Sequence, residues 1–195
     1  MFPDVMAIVG NGIGEFGKCL GNQIDSHDYV VRFQGFKPVH TEDYGKKANI
    51  YVTCLNDTPC GGEYLERWEY GPFDKVYCTW PDPNRIHLAG RKVPMNTRIR
   101  FIEKEIHQEL WSLLGHKPST GITFIYWVHK TVGLKHCDLY GFDFWGYKKP
   151  YHYWEYDKAP EVLHEQERTL SPIGSHNAAK EYELYKQIRK EYESK

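Results

Sequence analysis

Val5-Met6-Ala7-Ile8-Val9-Gly10-Asn11-Gly12-Ile13-Gly14, taken up again by Ile24-Asp25-Ser26-His27-Asp28-Tyr29-Val30-Val31-Arg32-Phe33, is the stretch that decides the fold. Residues 5–9 form a short apolar run of the kind a buried strand makes. Glycines break it, Glu15–Ile24 reads as a short helix, Asp25–Asp28 turns, and Tyr29–Phe33 is a second, β-branched strand. Strand, glycine turn, helix and strand make an α/β unit that offers backbone N–H groups to a phosphate. Gly12-Ile13-Gly14-Glu15-Phe16-Gly17 also spells the dinucleotide fingerprint G-x-G-x-x-G. Arg32, where an acidic residue would suit NAD, makes that reading an NADP-dependent oxidoreductase.

The alternation continues outward. Asn49–Thr53 and Lys75–Trp80 read as strands, Cys54–Gly62 as a loop and Glu63–Tyr70 as a helix. Residues 84–96 are irregular and basic, with Arg85, Arg91 and Lys92 on a surface loop that could meet an acceptor. Thr97–Leu114 reads as a long amphipathic helix with Ile99, Ile102, Ile106, Leu110 and Leu113 on one stripe. A further helix starts at Ser119-Thr120-Gly121, with Ile122, Ile125, Tyr126 and Val132 inward. Cys137–Phe142 is a strand, and His176 to about Tyr192 a helix with Ala178, Tyr182, Tyr185 and Ile188 inward. The expected fold is α/β: one Rossmann-type core, a mainly parallel sheet with helices on both faces, residues 1–195 as one domain.

Composition narrows the partners. A net charge of −1 over 195 residues argues against nucleic acid or an anionic membrane as the partner. No run of 18 apolar residues predicts a membrane span. Five scattered cysteines resemble no zinc module, and the reading is a reducing compartment, a cytoplasmic protein free or peripheral to the inner membrane.

Four places could carry chemistry. Gly10-Asn11-Gly12 lets backbone approach a phosphate and adds a side-chain amide; otherwise it is a tight turn. Pro118-Ser119-Thr120-Gly121 is either a plain helix cap or an anion cradle at a helix N-terminus. His152-Tyr153-Trp154-Glu155 is a site wall or a half-exposed loop anchored by Trp154. His176, if in the first turn of the last helix, has its protonated form disfavoured by the dipole, which suits a general base; alone it would be a surface residue.

Those stretches, in that order, resemble the sialylmotifs of glycosyltransferase family 29, the sialyltransferases. Val9-Gly10-Asn11 and Ile24-Asp25-Ser26-His27-Asp28-Tyr29-Val30-Val31-Arg32 are similar to the large motif. Pro118–Gly121 with Asp138-Leu139-Tyr140-Gly141-Phe142 is similar to the small one. His152–Glu155 looks like the third motif, and His176 with Glu181 like the last. The resemblance implies a GT-A-like variant fold in a short bacterial-type member. It implies inverting, single-displacement transfer of a keto-sugar acid from a CMP-activated donor to a sugar hydroxyl. The acceptor would be a glycan: an oligosaccharide, lipopolysaccharide or capsule precursor. No cofactor and no metal are implied.

By the same resemblance Asn11, with Gly10 and Gly12, would contact the CMP phosphate or ribose, with Gln34 offering an amide nearby. Ser119, Thr120 and Gly121 would hold the donor carboxylate and nucleotide, and Phe142 would line the nucleotide pocket. His152 would bond the departing phosphate, His176 would be the general base, and Glu181, Tyr153 and Glu155 would support them. The sequence departs from the family at Gly12, at Gln34, and at Asp143, where a glycine is common. Met6 stands where the partner of Cys137 in the family's animal disulfide would be, so that bond is expected to be missing. CMP-Kdo would suit the same cradle as CMP-sialic acid. A non-catalytic CMP-sugar-binding module is a further alternative. The NADP reading leaves His176, Glu181 and the Ser-Thr-Gly cap without work.

Overall fold

The structure, a computed structural model, describes residues 5–55, 67–84, 93, 94, 96–146, 152–155 and 176–193. Most of the expected loop at 54–62, the start of the expected helix at 63–70, Arg85, Arg91 and Lys92 of the basic loop, and Pro150-Tyr151 lie outside the described residues. Within them, β1 (Met6–Val9), β2 (Tyr29–Phe33), β3 (Ile50–Thr53), β4 (Lys75–Cys78), β5 (Ile99–Phe101) and β6 (Cys137–Tyr140) form one sheet. Their order is β5-β4-β3-β2-β1-β6 and every pair is parallel. Among the described residues the α-helices are α1 (Gly21–Asp25), α2 (Thr41–Tyr44), α3 (Lys104–Leu114), α4 (Thr120–Thr131) and α5 (Ala178–Glu193).

All four residues of β1 are buried, as expected of a strand covered on both sides. Met6 and Ile8 pack with Leu110, Ile125 and Ile188 of α3, α4 and α5. Ala7 and Val9 pack with Ile24 of α1 and Tyr44 of α2 on the opposite face. The period-2 alternation of one short apolar strand thus serves two helical layers. The fold is a Rossmann-like α/β sheet.

The chain steps outward from β1 to β5, then returns to place β6 on the other side of β1. Strand order therefore reverses between β1 and β6, and an open parallel sheet has its crevice at the carboxyl ends of such a pair. Register runs from Met6 beside Cys137 to Val9 beside Tyr140, so Gly10 and Gly141 leave the sheet together. A Cβ on Gly10 would lie 2.5 Å from the Gly141 carbonyl oxygen. Gly10→Ala should therefore push the two strand ends apart and cost about 1–3 kcal/mol in urea unfolding. Wild-type stability in that variant would contradict the close approach.

The register also sets Met6 directly beside Cys137, the site of the disulfide expected to be missing. Cys19, Cys54, Cys78 and Cys137 form no disulfide among the described residues, and burial pushes Cys137 up to about 12.

The resembling stretch 24–32 braces the sheet. The Asp25 carboxylate accepts the N–H groups of Lys46 and Lys47. His27 Nε2 lies 2.9 Å from Asp138 Oδ2, joining the α1–β2 turn to β6. Arg32 is 2% exposed and donates to the carbonyl oxygens of Tyr44 and Lys47 at 2.6 and 3.0 Å. That burial removes Arg32 from any role with a ribose phosphate, so the NADP expectation loses its specificity residue.

Two expected helices differ. Glu15–Ile24 is helical only from Gly21, because Gly17 and Cys19 take positive φ (78° and 55°) and their N–H groups bond the Asp43 carboxylate. Thr97–Leu114 divides into β5 and α3. Ile99, Arg100 and Phe101 satisfy the open edge of β4, and that pairing overrides the helical spacing of Ile99 and Ile102. Leu114 is buried in place of Leu113, which is exposed, and Val132 likewise lies at the surface.

Candidate active site

Ser119 caps α4, its hydroxyl oxygen accepting from the Ile122 N–H. Glu181, from the first turn of α5, lies against that cap and is 0% exposed. The Ser119 N–H donates to Glu181 Oε1 at 2.9 Å and the Ser119 hydroxyl to Oε2 at 2.6 Å. Desolvation pushes the Glu181 carboxyl up to about 7, against the opposing effect of those two bonds. Ser119, expected to face a donor, therefore faces Glu181. The N–H groups of Thr120 and Gly121 start the helix with no hydrogen-bond partner among the described residues.

His176 sits just outside α5. Asn177 is the cap, its Oδ1 accepting from the Lys180 N–H at 3.1 Å. His176 Nδ1 lies 3.0 Å from the Lys117 carbonyl oxygen. A carbonyl can only accept, so Nδ1 carries the proton and the lone pair of the neutral ring is on Nε2. Burial lowers its pKa from 6.5, with Lys117 and His116 acting in the same direction and the Lys117 carbonyl opposing. Desolvation, rather than the expected helix dipole, is what keeps this imidazole neutral. Glu181 Oε1 lies 3.9 Å from the same Nδ1.

Trp145 stacks on His176, the ring centroids 5.9 Å apart and the planes 14° from parallel. It reaches that place through a tight turn, closed by the Gly146 N–H to the Asp143 carbonyl at 2.9 Å. Both central residues, Phe144 and Trp145, have positive φ (47° and 56°), which costs about 1 kcal/mol or more each in non-glycine residues.

Phe142 joins the two glycine turns. A Cβ on Gly10 or on Gly121 would lie 3.1 Å from the same ring carbon, Cε1. One aromatic ring thus lies against both the end of β1 and the start of α4.

Asn11 has a half-used side chain. Its Nδ2 donates to the Gln34 carbonyl at 2.7 Å, and its Oδ1 is buried with no hydrogen-bond partner among the described residues. Gln34, expected to offer its amide to a donor, uses Oε1 to accept from the Cys54 N–H and the Thr53 hydroxyl at 2.7 and 3.2 Å. The Tyr153 N–H donates to the Asn11 carbonyl at 3.2 Å, hanging residues 152–155 on the first turn. Tyr153 is 1% exposed and stacks on Tyr44, so it is a buried post rather than a wall. His152 stacks on Trp154, and its Nδ1 is 3.2 Å from Glu155 Oε1.

The glycine turn itself holds an internal anion. Asp143 Oδ2 accepts the Ile13 and Gly14 N–H groups at 2.7 and 3.2 Å. A Cβ on Gly12 would lie 2.5 Å from that carboxylate. Those N–H groups, expected to face a phosphate, are thus occupied from within. Asp143, Trp145, Lys117 and His116 are site residues whose roles sequence reading missed. The signals were the acidic departure at 143 and the His-Lys pair before Pro118.

Among solved structures, the chain is similar to a mammalian sialyltransferase at 19% identity and a TM-score of 0.57, covering 96% of this chain and 66% of that one. A mammalian sialyltransferase in complex with Gal-beta-1-3GalNAc-ortho-nitrophenol is similar at 18% identity and 0.54, covering 95% and 65%. The chain thus spans just under two thirds of the length of those structures. No family model and no curated protein matches it. The class defined is a Rossmann-like α/β protein, and its particular architecture is sialyltransferase-like. Among the described residues no helix is long and apolar enough to cross a membrane.

Proposed function

We propose that this chain, as one domain, is an inverting, metal-independent glycosyltransferase that moves a keto-sugar acid from its CMP-activated donor to a sugar hydroxyl. The observation that carries this reading is the His176–Lys117 and Glu181–Ser119 pairing. It sets a neutral imidazole of defined tautomer beside the N-terminus of α4.

Nε2 of His176 takes the proton of the acceptor hydroxyl as that oxygen bonds to the anomeric carbon. The bond from that carbon to the phosphate oxygen breaks, and its electron pair leaves with CMP. The leaving phosphate needs charge stabilisation more than a proton. The Thr120 and Gly121 N–H groups and the α4 dipole favour the donor's anionic groups. His152 hydrogen-bonds the departing phosphate. Asn11 Oδ1, an acceptor seeking a proton, suits a ribose hydroxyl better than a phosphate oxygen. Sialic acid is the preferred donor sugar, and Kdo carries the same carboxylate.

A thermal-shift panel of CMP, CMP-sialic acid, CMP-Kdo, UDP-sugars and NADPH tests the reading. CMP ligands at about 100 times Kd should stabilise by about 2.7 kcal/mol. A shift with NADPH and none with CMP would overturn it.

A further inference from the structure

We infer that Asp143 is a specificity residue that bars a second phosphate from the glycine turn and confines the donor to a nucleoside monophosphate. This deepens the CMP-donor reading and rests on it.

A glycine turn ordinarily follows the first strand of a Rossmann-like fold. Its N–H groups converge, and in a dinucleotide fold they receive a pyrophosphate. Here the Asp143 carboxylate already accepts two of them, from Ile13 and Gly14. Gly12 is pressed against the same carboxylate, so no room is left between turn and side chain. On the β6 side the Gly141 N–H donates to Glu15 Oε1 at 3.2 Å. A phosphate at the switch point would meet two carboxylates where it needs donors.

The helix that normally adds its dipole is missing too. α1 begins only at Gly21, and residues 17–19 are held by Asp43 instead. Charge, occupancy and helix position therefore all point the donor's anion away from this turn. Across the Phe142 ring, the N-terminus of α4 offers the Thr120 and Gly121 N–H groups. Asp143 also opens the strained turn that carries Trp145 onto His176. One loop thus closes the first turn and walls the proposed base.

The test is the ratio of CDP to CMP affinity, by calorimetry, in wild type, Asp143→Asn and Asp143→Gly. Asparagine can keep the acceptor oxygen and removes the charge; glycine removes both. The ratio should rise about threefold in Asp143→Asn and about tenfold or more in Asp143→Gly. An unchanged ratio in folded variants overturns the inference. If Asp143→Gly does not fold, Asp143→Asn decides alone by the same ratio. If wild type binds no CMP, the donor reading fails separately. Inorganic pyrophosphate then reads the turn directly: binding gained by the variants supports the plug, and none overturns it.

Discussion

Replacing His176 by alanine should lower kcat by about 10²–10⁴-fold while CMP still binds within a few-fold of wild type. Nδ1 is committed to the Lys117 carbonyl, so the ring's only basic site is Nε2, and removing it removes the base. Donor binding in the proposed site rests on other residues, Thr120, Gly121, Phe142 and Asn11. His176→Asn sharpens the experiment, because its amide can keep a hydrogen bond to Lys117 yet has no basic nitrogen. It should be as inactive as alanine. Recovery of activity in either variant would remove His176 from the chemistry, and loss of CMP binding in both would assign it to the donor pocket. In wild type, kcat/KM should fall with acid as His176 takes its proton, at a pH below the ordinary 6.5. An inactive wild type that binds CMP would leave the non-catalytic binding module standing.

Glu181 should make stability fall as pH rises between about 4.5 and 7. Its carboxyl ordinarily titrates at 4.5 and is pushed up to about 7 by burial. The folded chain keeps this proton to about pH 7, whereas the unfolded chain loses it near 4.5. Stability is therefore full below 4.5 and is lost as pH rises through 7, by about 3 kcal/mol in total. His176 acts in the opposite sense. The unfolded ring takes a proton near 6.5 and the folded one resists it, so its contribution rises with pH in that range. Urea unfolding of wild type and Glu181→Gln from pH 4.5 to 8 separates the two. Glutamine has the same shape, can accept from the Ser119 N–H and donate to its hydroxyl, and carries no charge. Its stability should exceed that of wild type by up to about 3 kcal/mol at pH 8 and converge with it near pH 4.5. Parallel curves would show that Glu181 is ionised throughout. Glu181→Ala should instead destabilise at every pH, because it leaves a cavity and two unpaired Ser119 donors.

Much of the fold was legible because parallel strands announce themselves locally. Residues 5–9 are apolar on both faces and 29–33 are β-branched or aromatic apart from Arg32, and the structure makes them β1 and β2 within one residue. The helix starting at Ser119 was legible from its cap. Edge strand β5 was not, since Ile99, Ile102 and Ile106 fit a helix, and only the unpaired edge of β4 makes a strand the better solution. In the site, order and residue type pointed to Asn11, Thr120, Gly121, Phe142 and His176. They could not say which hydrogen bonds were already taken. Gln34 and Ser119 proved to be bonded within the protein.

The period-2 apolar runs, the glycine turns and the helix cap are properties of neighbours in the chain. Sequence alone therefore determined a parallel α/β sheet and the identity of its turns. Whether the first turn offers N–H groups to a ligand depends on Asp143, some 130 residues away. Which nitrogen of His176 carries the proton depends on Lys117, a loop carbonyl 59 residues earlier, and its neutrality on burial. Only the tertiary structure decided these, because hydrogen-bond occupancy and desolvation are set by what the fold brings within about 3 Å.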